Sequence, residues 1–174
     1  TKSAYLLGVR QGAPFVFVLL PFSMMFGVVA TEAGLNILEV ISFSVIILAG
    51  AAQFTAVQLM TENAPTIIVI VSALAVNLRM AMYSASLAPH LGPAPLWQRA
   101  TVAYLLVDQT FALSVSEYER KRNWSIKEKL AFFFGTATPV MPCWMAGTVI
   151  GAMLGSTIPP EYALDFALPI LFLA

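Results

Sequence analysis

The sequence predicts an all-α, polytopic transmembrane helix bundle of five full spans and an incomplete sixth, in a single transmembrane domain covering 1–174. Three observations predict it. First, 59% of the residues are hydrophobic and 10% charged, with mean hydropathy +0.83. A soluble domain carries roughly a quarter charged residues, so this chain cannot cover its surface with polar groups in water. Second, apolar runs recur at the length a bilayer demands, about 20 residues each. Third, no ten-residue alternation of apolar and polar residues is present, which disfavours a membrane barrel. Lipid offers backbone groups no hydrogen-bond partner, so each span is expected to be helical.

The spans read as 6–31, 38–60, 65–88, 98–116, 128–155 and a short one from about 163. The first begins within "TKSAYLLGVRQGAPF", where Lys2 and Arg10 beside an apolar run imitate a signal peptide. The run continues through Pro14 and Pro21 without a small-residue cleavage site, so it reads as a retained span. The second holds "LAGAAQFTAVQ", residues 48–58. Its small residues permit close helix packing, or mark an unwound segment that offers backbone groups and Gln53 to a ligand.

The third span carries a polar stripe. Ser72, Arg79, Tyr83, Ser86 and His90 recur at helical spacing and share one face, while Asn77 points elsewhere. The fourth carries Thr101, Tyr104 and Asp108 at helical spacing. Folded as an antiparallel hairpin around "PHLGPAPLW", the two spans bring Arg79 and Asp108 to similar depth, at 1.5 Å rise per residue. An intramembrane ion pair is therefore expected, because an unpaired charge there costs roughly 3 kcal/mol or more. Two readings stand for the pair. It lines a transport path, or it is structural, with Arg79 snorkelling. His90 reads as an interfacial loop residue.

In the fifth span, "GTATPVMPCW" (residues 135–144) contains Pro139 and Pro142, which kink the helix or free carbonyls for a ligand. Gly147, Gly151 and Gly155 form a packing face, with Cys143 and Trp144 as packing residues. Pro21 and Gly34 are echoed by Pro142 and Gly155 at equal offset, which suggests an internal repeat with Gly/Pro-broken helices. The final "LDFALPILFLA" is too short to cross, and a longer natural chain is expected.

Charge sets orientation. Lys2 and Arg10 begin the first span; Arg120, Lys121, Arg122, Lys127 and Lys129 lie between the fourth and fifth. An even number of spans separates these groups, so both are expected on the cytoplasmic side, with Glu32, Glu39, Glu161 and Asp165 opposite and Arg99 the main cation there.

Function classes narrow accordingly. Zero net charge argues against nucleic acid, and lipid is the first partner expected. One cysteine and one histidine argue against a metal centre, no Gly-rich phosphate loop with its Lys is present, and no cofactor is implied. No Ser–His, paired-Asp or metal-ligand arrangement appears at helical spacing, so the chain does not read as an enzyme. A secondary transporter fits best. The alternative is a non-transporting assembly or channel-like subunit whose polar stripe binds another protein.

"GVRQGAPFVFVLLPFSMMFG", "ILAGAAQFTAVQLM", "NLRMAMYSASLAPHL", "YLLVDQTFALS" and "LDFALPILFLA" together resemble the AzlC/YgaZ family of branched-chain amino acid permeases. The resemblance implies a large subunit exporting valine, leucine, isoleucine and analogues across the bacterial inner membrane. It also implies a small hydrophobic AzlD/YgaH-like partner subunit. Residues matching the recurring motifs are Gly50, Gln53, Asn77, Arg79, Tyr83, Asp108 and Gln109. From the chemistry, Gln53, Asn77, Arg79, Tyr83, Asp108 and Gln109 are the expected substrate contacts, with Asp108 the candidate for proton coupling.

Overall fold

The computed structural model describes residues 1–157. The incomplete sixth span, with Glu161 and Asp165, lies outside the described residues. Among those described, regular structure is helical: α1 (Lys2–Gly12), a 3-10 turn (Ala13–Phe15), α2 (Val16–Glu32), α3 (Ile37–Ile46), α4 (Gly50–Thr61), α5 (Thr66–Leu91), α6 (Leu96–Tyr104), α7 (Asp108–Arg120) and α8 (Ile126–Gly155). Three helical runs, Lys2–Glu32, Thr66–Leu91 and Ile126–Gly155, are long and apolar enough to cross a membrane. The sequence marks their ends. Gly34 turns the chain after α2 at φ 90, and Asn36 caps α3 by accepting from Glu39 N–H at 3.0 Å while the Glu39 carboxylate accepts from Asn36 N–H at 2.7 Å.

The second and fourth spans are not the continuous helices the sequence suggests. Each is two half-length helices joined by three residues, 47–49 and 105–107. The first break leaves helical geometry at Ile47 (φ −108, ψ 54) and Ala49 (φ −151, ψ 99). The unwound reading of "LAGAAQFTAVQ" holds for its first two residues, and the helix resumes at Gly50. The second break turns at Val107 (φ −130, ψ 170). The expected common face of Thr101, Tyr104 and Asp108 therefore ends at Tyr104.

Thr110 closes the second break. Its hydroxyl oxygen accepts from Val107 N–H at 3.0 Å, and the hydroxyl has the carbonyls of Leu105 and Val107 both at 3.1 Å. Thr110 is fully buried. Backbone groups freed at membrane depth need such a partner. Thr110→Val is therefore expected to cost about 1–3 kcal/mol, read as a lower melting temperature in detergent, with Thr110→Ser restoring it. An unchanged Tm in the valine variant would mean that the hydroxyl does not hold the break.

The chain divides into two compact units. The first comprises Thr1–Val18 and Asn77–Pro142; the second comprises Leu19–Val76 and the chain from Cys143. In the first unit, α1 and the start of α8 run parallel at backbone contact. A methyl on Gly8 would overlap the Phe132 carbonyl, and one on Gly12 would lie 2.8 Å from the Thr136 carbonyl oxygen. Leu87, Leu91, Val102, Leu106, Tyr118 and Phe133 contribute to a buried core around this pair. The parallel course puts Lys2 and Lys127 toward the same end of this unit. His90 belongs to the last turn of α5 rather than to a loop, and its Nδ1 lies 3.5 Å from Lys129 Nζ.

In the second unit, α2 and the end of α8 also run parallel. The Gly147, Gly151 and Gly155 face packs as its spacing suggests, against Ser23, Met24 and Val28. Phe26, Val40, Phe54, Val57 and Ala152 are buried beside it. Trp144 packs as expected, its ring 5.8 Å from Phe22 and 6.5 Å from Phe26. Helix α8 continues through Pro139 and Pro142. Of the positions that echo each other, Pro21 and Pro142 are both inside helices, but Gly34 makes a turn and Gly155 is helical.

Candidate functional site

Asp108 is the first residue of α7, immediately after the 105–107 break. The first-turn N–H groups of a helix have no intrahelical acceptor, and the helix dipole favours a carboxylate there. The break therefore gives Asp108 a polar seat within an otherwise apolar span. Helix α5 supplies its partners from two positions four apart, which share one face. Arg79 Nη1 lies 3.2 Å from Asp108 Oδ2, and the Tyr83 hydroxyl donates to Asp108 Oδ1 at 2.8 Å. The ion pair expected from hairpin spacing is present. Tyr83 is held from behind by Phe111, its ring stacked at 4.0 Å and 10°.

The cluster is not sealed. The Arg79 and Asp108 side chains are 35% and 44% exposed. Arg79 Nε and Asn77 Oδ1 are shielded from solvent and have no hydrogen-bond partner. Gln109 stands beside Asp108 at the start of α7. The result is a cation, an anion and a hydroxyl gathered at one helix break, with one guanidinium nitrogen unused. Such a set can exchange its internal ion pair for a ligand carrying both charges.

The expected site residues divide between the two units. Asn77, Arg79, Tyr83, Asp108 and Gln109 belong to the first unit, and Gln53 to the second. Gln53 is fully buried, and its Nε2 donates to Ser44 Oγ at 3.0 Å; Ser44 Oγ is 3.2 Å from Thr148 Oγ1. Nothing in the sequence alone distinguishes Ser44, Thr148 and Thr110. Their signal is a small hydroxyl residue in an apolar run, which is weak because hydroxyls can bond back to their own helix.

A third polar group sits at the end of α7. Glu117 is almost wholly buried and accepts from Arg120 Nη2 at 2.7 Å and Arg120 Nε at 3.1 Å. Lys121 Nζ lies 3.6 Å from the same carboxylate and 4.7 Å from the centre of the Trp124 ring. The Tyr118 hydroxyl donates to the Lys129 carbonyl at 2.7 Å. These contacts organise the basic loop between α7 and α8.

Residues 14–158 match the family model described as AzlC protein. The chain belongs to the AzlC family. Relatives of this AzlC-family chain include the inner membrane protein YgaZ of Escherichia coli (strain K12), 30% identical over 99% of the chain and 72% of the relative. An uncharacterized membrane protein of Archaeoglobus fulgidus is also 30% identical, over 99% of the chain and 75% of the relative. A third, from Helicobacter pylori (strain 26695), is 30% identical over 76% of the chain and 56% of the relative. No solved structure matches at a significant level. The family, its membrane relatives and the long apolar helices make this a membrane protein related to transport.

Proposed function

We propose that this AzlC-family chain is the large subunit of a secondary transporter that exports branched-chain amino acids across the bacterial inner membrane. Its N-terminus is cytoplasmic, and it works with a small hydrophobic AzlD/YgaH-like partner subunit. The observation that carries this reading is the partly exposed Arg79–Asp108 pair at the α6–α7 break.

A zwitterionic substrate matches the pair charge for charge. Its carboxylate takes the Arg79 guanidinium, and its ammonium takes Asp108. Tyr83, Asn77 and Gln109 complete the polar contacts, since groups left unpaired in a dry site are costly. Exchange of one ion pair for two keeps the charges compensated, whereas a neutral hydrocarbon could not split the pair. An aliphatic substrate side chain would face the apolar residues of the span.

Asp108 is also the group proposed to couple protons to export. Radiolabelled leucine efflux from vesicles containing the chain and its partner tests both ideas. Wild type is expected to export leucine and valine with a pH-dependent rate, and Asp108→Asn to lose that dependence. No efflux above empty vesicles would reject the transporter reading; unchanged pH dependence in Asp108→Asn would reject the proton role alone.

One observation favours the alternative, a non-transporting assembly or channel-like subunit. Helix α5 leaves Leu74, Leu78 and Met82 exposed on the helix that carries Arg79. A partner protein seated there would cover the charge pair. In that case Arg79→Ala would abolish copurification of the small subunit, with substrate binding retained in the preassembled complex.

A further inference from the structure

The course of α6 and α7 is fixed by what they touch on α5. Arg99, in the first turn of α6, lies at the end of α5, with its Nη1 3.4 Å from the Gly92 carbonyl oxygen. Asp108, nine residues on, lies back at Arg79 and Tyr83. From Arg99 to Asp108 the chain therefore runs antiparallel to α5. At Asp108 it turns round. Phe111 stacks on Tyr83, and Tyr118, seven residues later, meets His90, seven residues further along α5, with ring centres 5.4 Å apart. From Asp108 to Tyr118 the chain thus runs parallel to α5, back toward the end it came from. Leu106, at the reversal, is buried, as non-helical backbone at membrane depth has to be.

Both ends of this segment come to one end of the first unit. The Tyr118 hydroxyl donates to the Lys129 carbonyl at 2.7 Å, and His90 Nδ1 is 3.5 Å from Lys129 Nζ. The end of α5, the end of α7 and the start of α8 therefore meet. Helix α1 starts toward the same end, since its Gly8 abuts the Phe132 carbonyl of α8 and its Gly12 the Thr136 carbonyl. Helix α6 has 9 residues and α7 has 13, about 13 and about 20 Å of helix at 1.5 Å per residue. Neither reaches across a hydrocarbon core of about 30 Å. Helix α5, by contrast, is one continuous helix of 26 residues, long and apolar enough to cross.

We propose that α6 and α7 form a re-entrant hairpin, which enters and leaves the membrane at the face that bears the N-terminus and carries the Arg79–Asp108 pair at its tip. The fourth span expected from the sequence is then no crossing. Charge gives an independent reason. A crossing would leave Arg99 as the main cation of the acidic face. The hairpin places it with Lys2, Arg10 and the five cations of 120–129. Every Lys and Arg of the chain except Arg79 then belongs to one side, the pattern that short basic loops follow. Ten residues of α7 separate Asp108 from Tyr118, so the pair lies about 15 Å in from that face. That is near the middle of a hydrocarbon core of about 30 Å, where secondary transporters build substrate sites from discontinuous helices. This last point rests on the transport reading; the hairpin does not.

Labelling of single cysteines with a membrane-impermeant maleimide tests this, in right-side-out and inside-out vesicles that contain the full chain. Replacing the one natural cysteine, Cys143→Ser, supplies the background. Three exposed positions outside the helices report: Glu62→Cys before α5, Pro93→Cys after it and Asn123→Cys between α7 and α8. The hairpin predicts that Pro93→Cys and Asn123→Cys take label in the same vesicle orientation and lose it in the other. Glu62→Cys, across α5, is expected to show the reverse. Trp97→Cys, exposed in the first turn of α6, repeats the reading where Pro93→Cys does not accumulate. Pro93→Cys and Asn123→Cys labelling in opposite orientations, with Glu62→Cys following Asn123→Cys, is the result of a crossing α6–α7 and overturns the proposal. No substrate enters the measurement, so a chain that exports nothing can still carry the hairpin, and an exporter can still lack it.

Discussion

Asp108→Ala is expected to lower leucine efflux by roughly two orders of magnitude while leaving the chain folded. Truncating one partner of a hydrogen-bonded charge pair costs 2–5 kcal/mol of binding, and about 3 kcal/mol is a hundredfold. The stability cost is smaller. Removing one partner of a fully buried pair costs about 3–5 kcal/mol, but these side chains are 35% and 44% exposed, so about 1–3 kcal/mol is expected. Arg79→Ala should behave similarly, and the double variant should be little worse than either single one, because each loss already disables the pair. Tyr83→Phe removes one bond to Asp108 but keeps the ring on Phe111, so its loss should be milder. Efflux and Tm measured on the same four variants decide the matter. Near-normal efflux in Asp108→Ala would make the pair a helix-to-helix strut and nothing more.

Gly151→Leu is expected to prevent accumulation of folded protein. A Cβ at this position overlaps the Met24 carbonyl oxygen and would stand 2.6 Å from Met24 C and 2.7 Å from Met24 Cα. These are backbone atoms, so no rotamer change relieves the clash. The α2–α8 contact must open, exposing Phe26, Ala30 and Ala152, each fully buried. Overpacking usually costs 1–3 kcal/mol, and a backbone collision belongs at about 3 kcal/mol or more. Ala146→Leu, on the exposed side of the same helix, is the control. Gel filtration of the solubilised protein should give a monodisperse peak for the control and loss of that peak for Gly151→Leu. A normal peak and Tm for Gly151→Leu would mean that α2 and α8 do not meet at this glycine.

Much of the architecture is legible in the sequence because lipid simplifies the problem. A chain that cannot hide its apolar surface in water must span a membrane, and a span must satisfy its own backbone. Period and length then locate the helices to within a few residues. The packing role of Gly147 and Gly151 follows from spacing alone, since small residues four apart make a groove. So does the meeting of Arg79 with Asp108, because rise per residue and the position of the Pro-rich turn fix relative depth. The Gly8 and Gly12 pair carries the same signal and packs in the same way.

The helix breaks mark the limit of this reading. Ile47, Leu48, Leu105, Leu106 and Val107 are apolar, and none is a turn former. Period and hydropathy pass through both breaks without interruption. The contacts at the two breaks differ in range. Thr110, three residues past Val107, offers the freed groups at 105–107 a local partner, whereas the distant Trp144 and Phe22 rings press on Gly50 after 47–49. The chemistry of the breaks is likewise invisible one residue at a time. Ser44 and Thr148 look like ordinary small residues until folding puts them beside Gln53. By itself the sequence determined the membrane class, the placement of the long helices, the glycine face and the Arg79–Asp108 pairing, because each follows from solvent, length and local spacing. Only the folded structure decided where the helices break and which polar groups lie beside those breaks, because a break in lipid exists only where a side chain, near as Thr110 or distant as Trp144, is placed to satisfy or hold it.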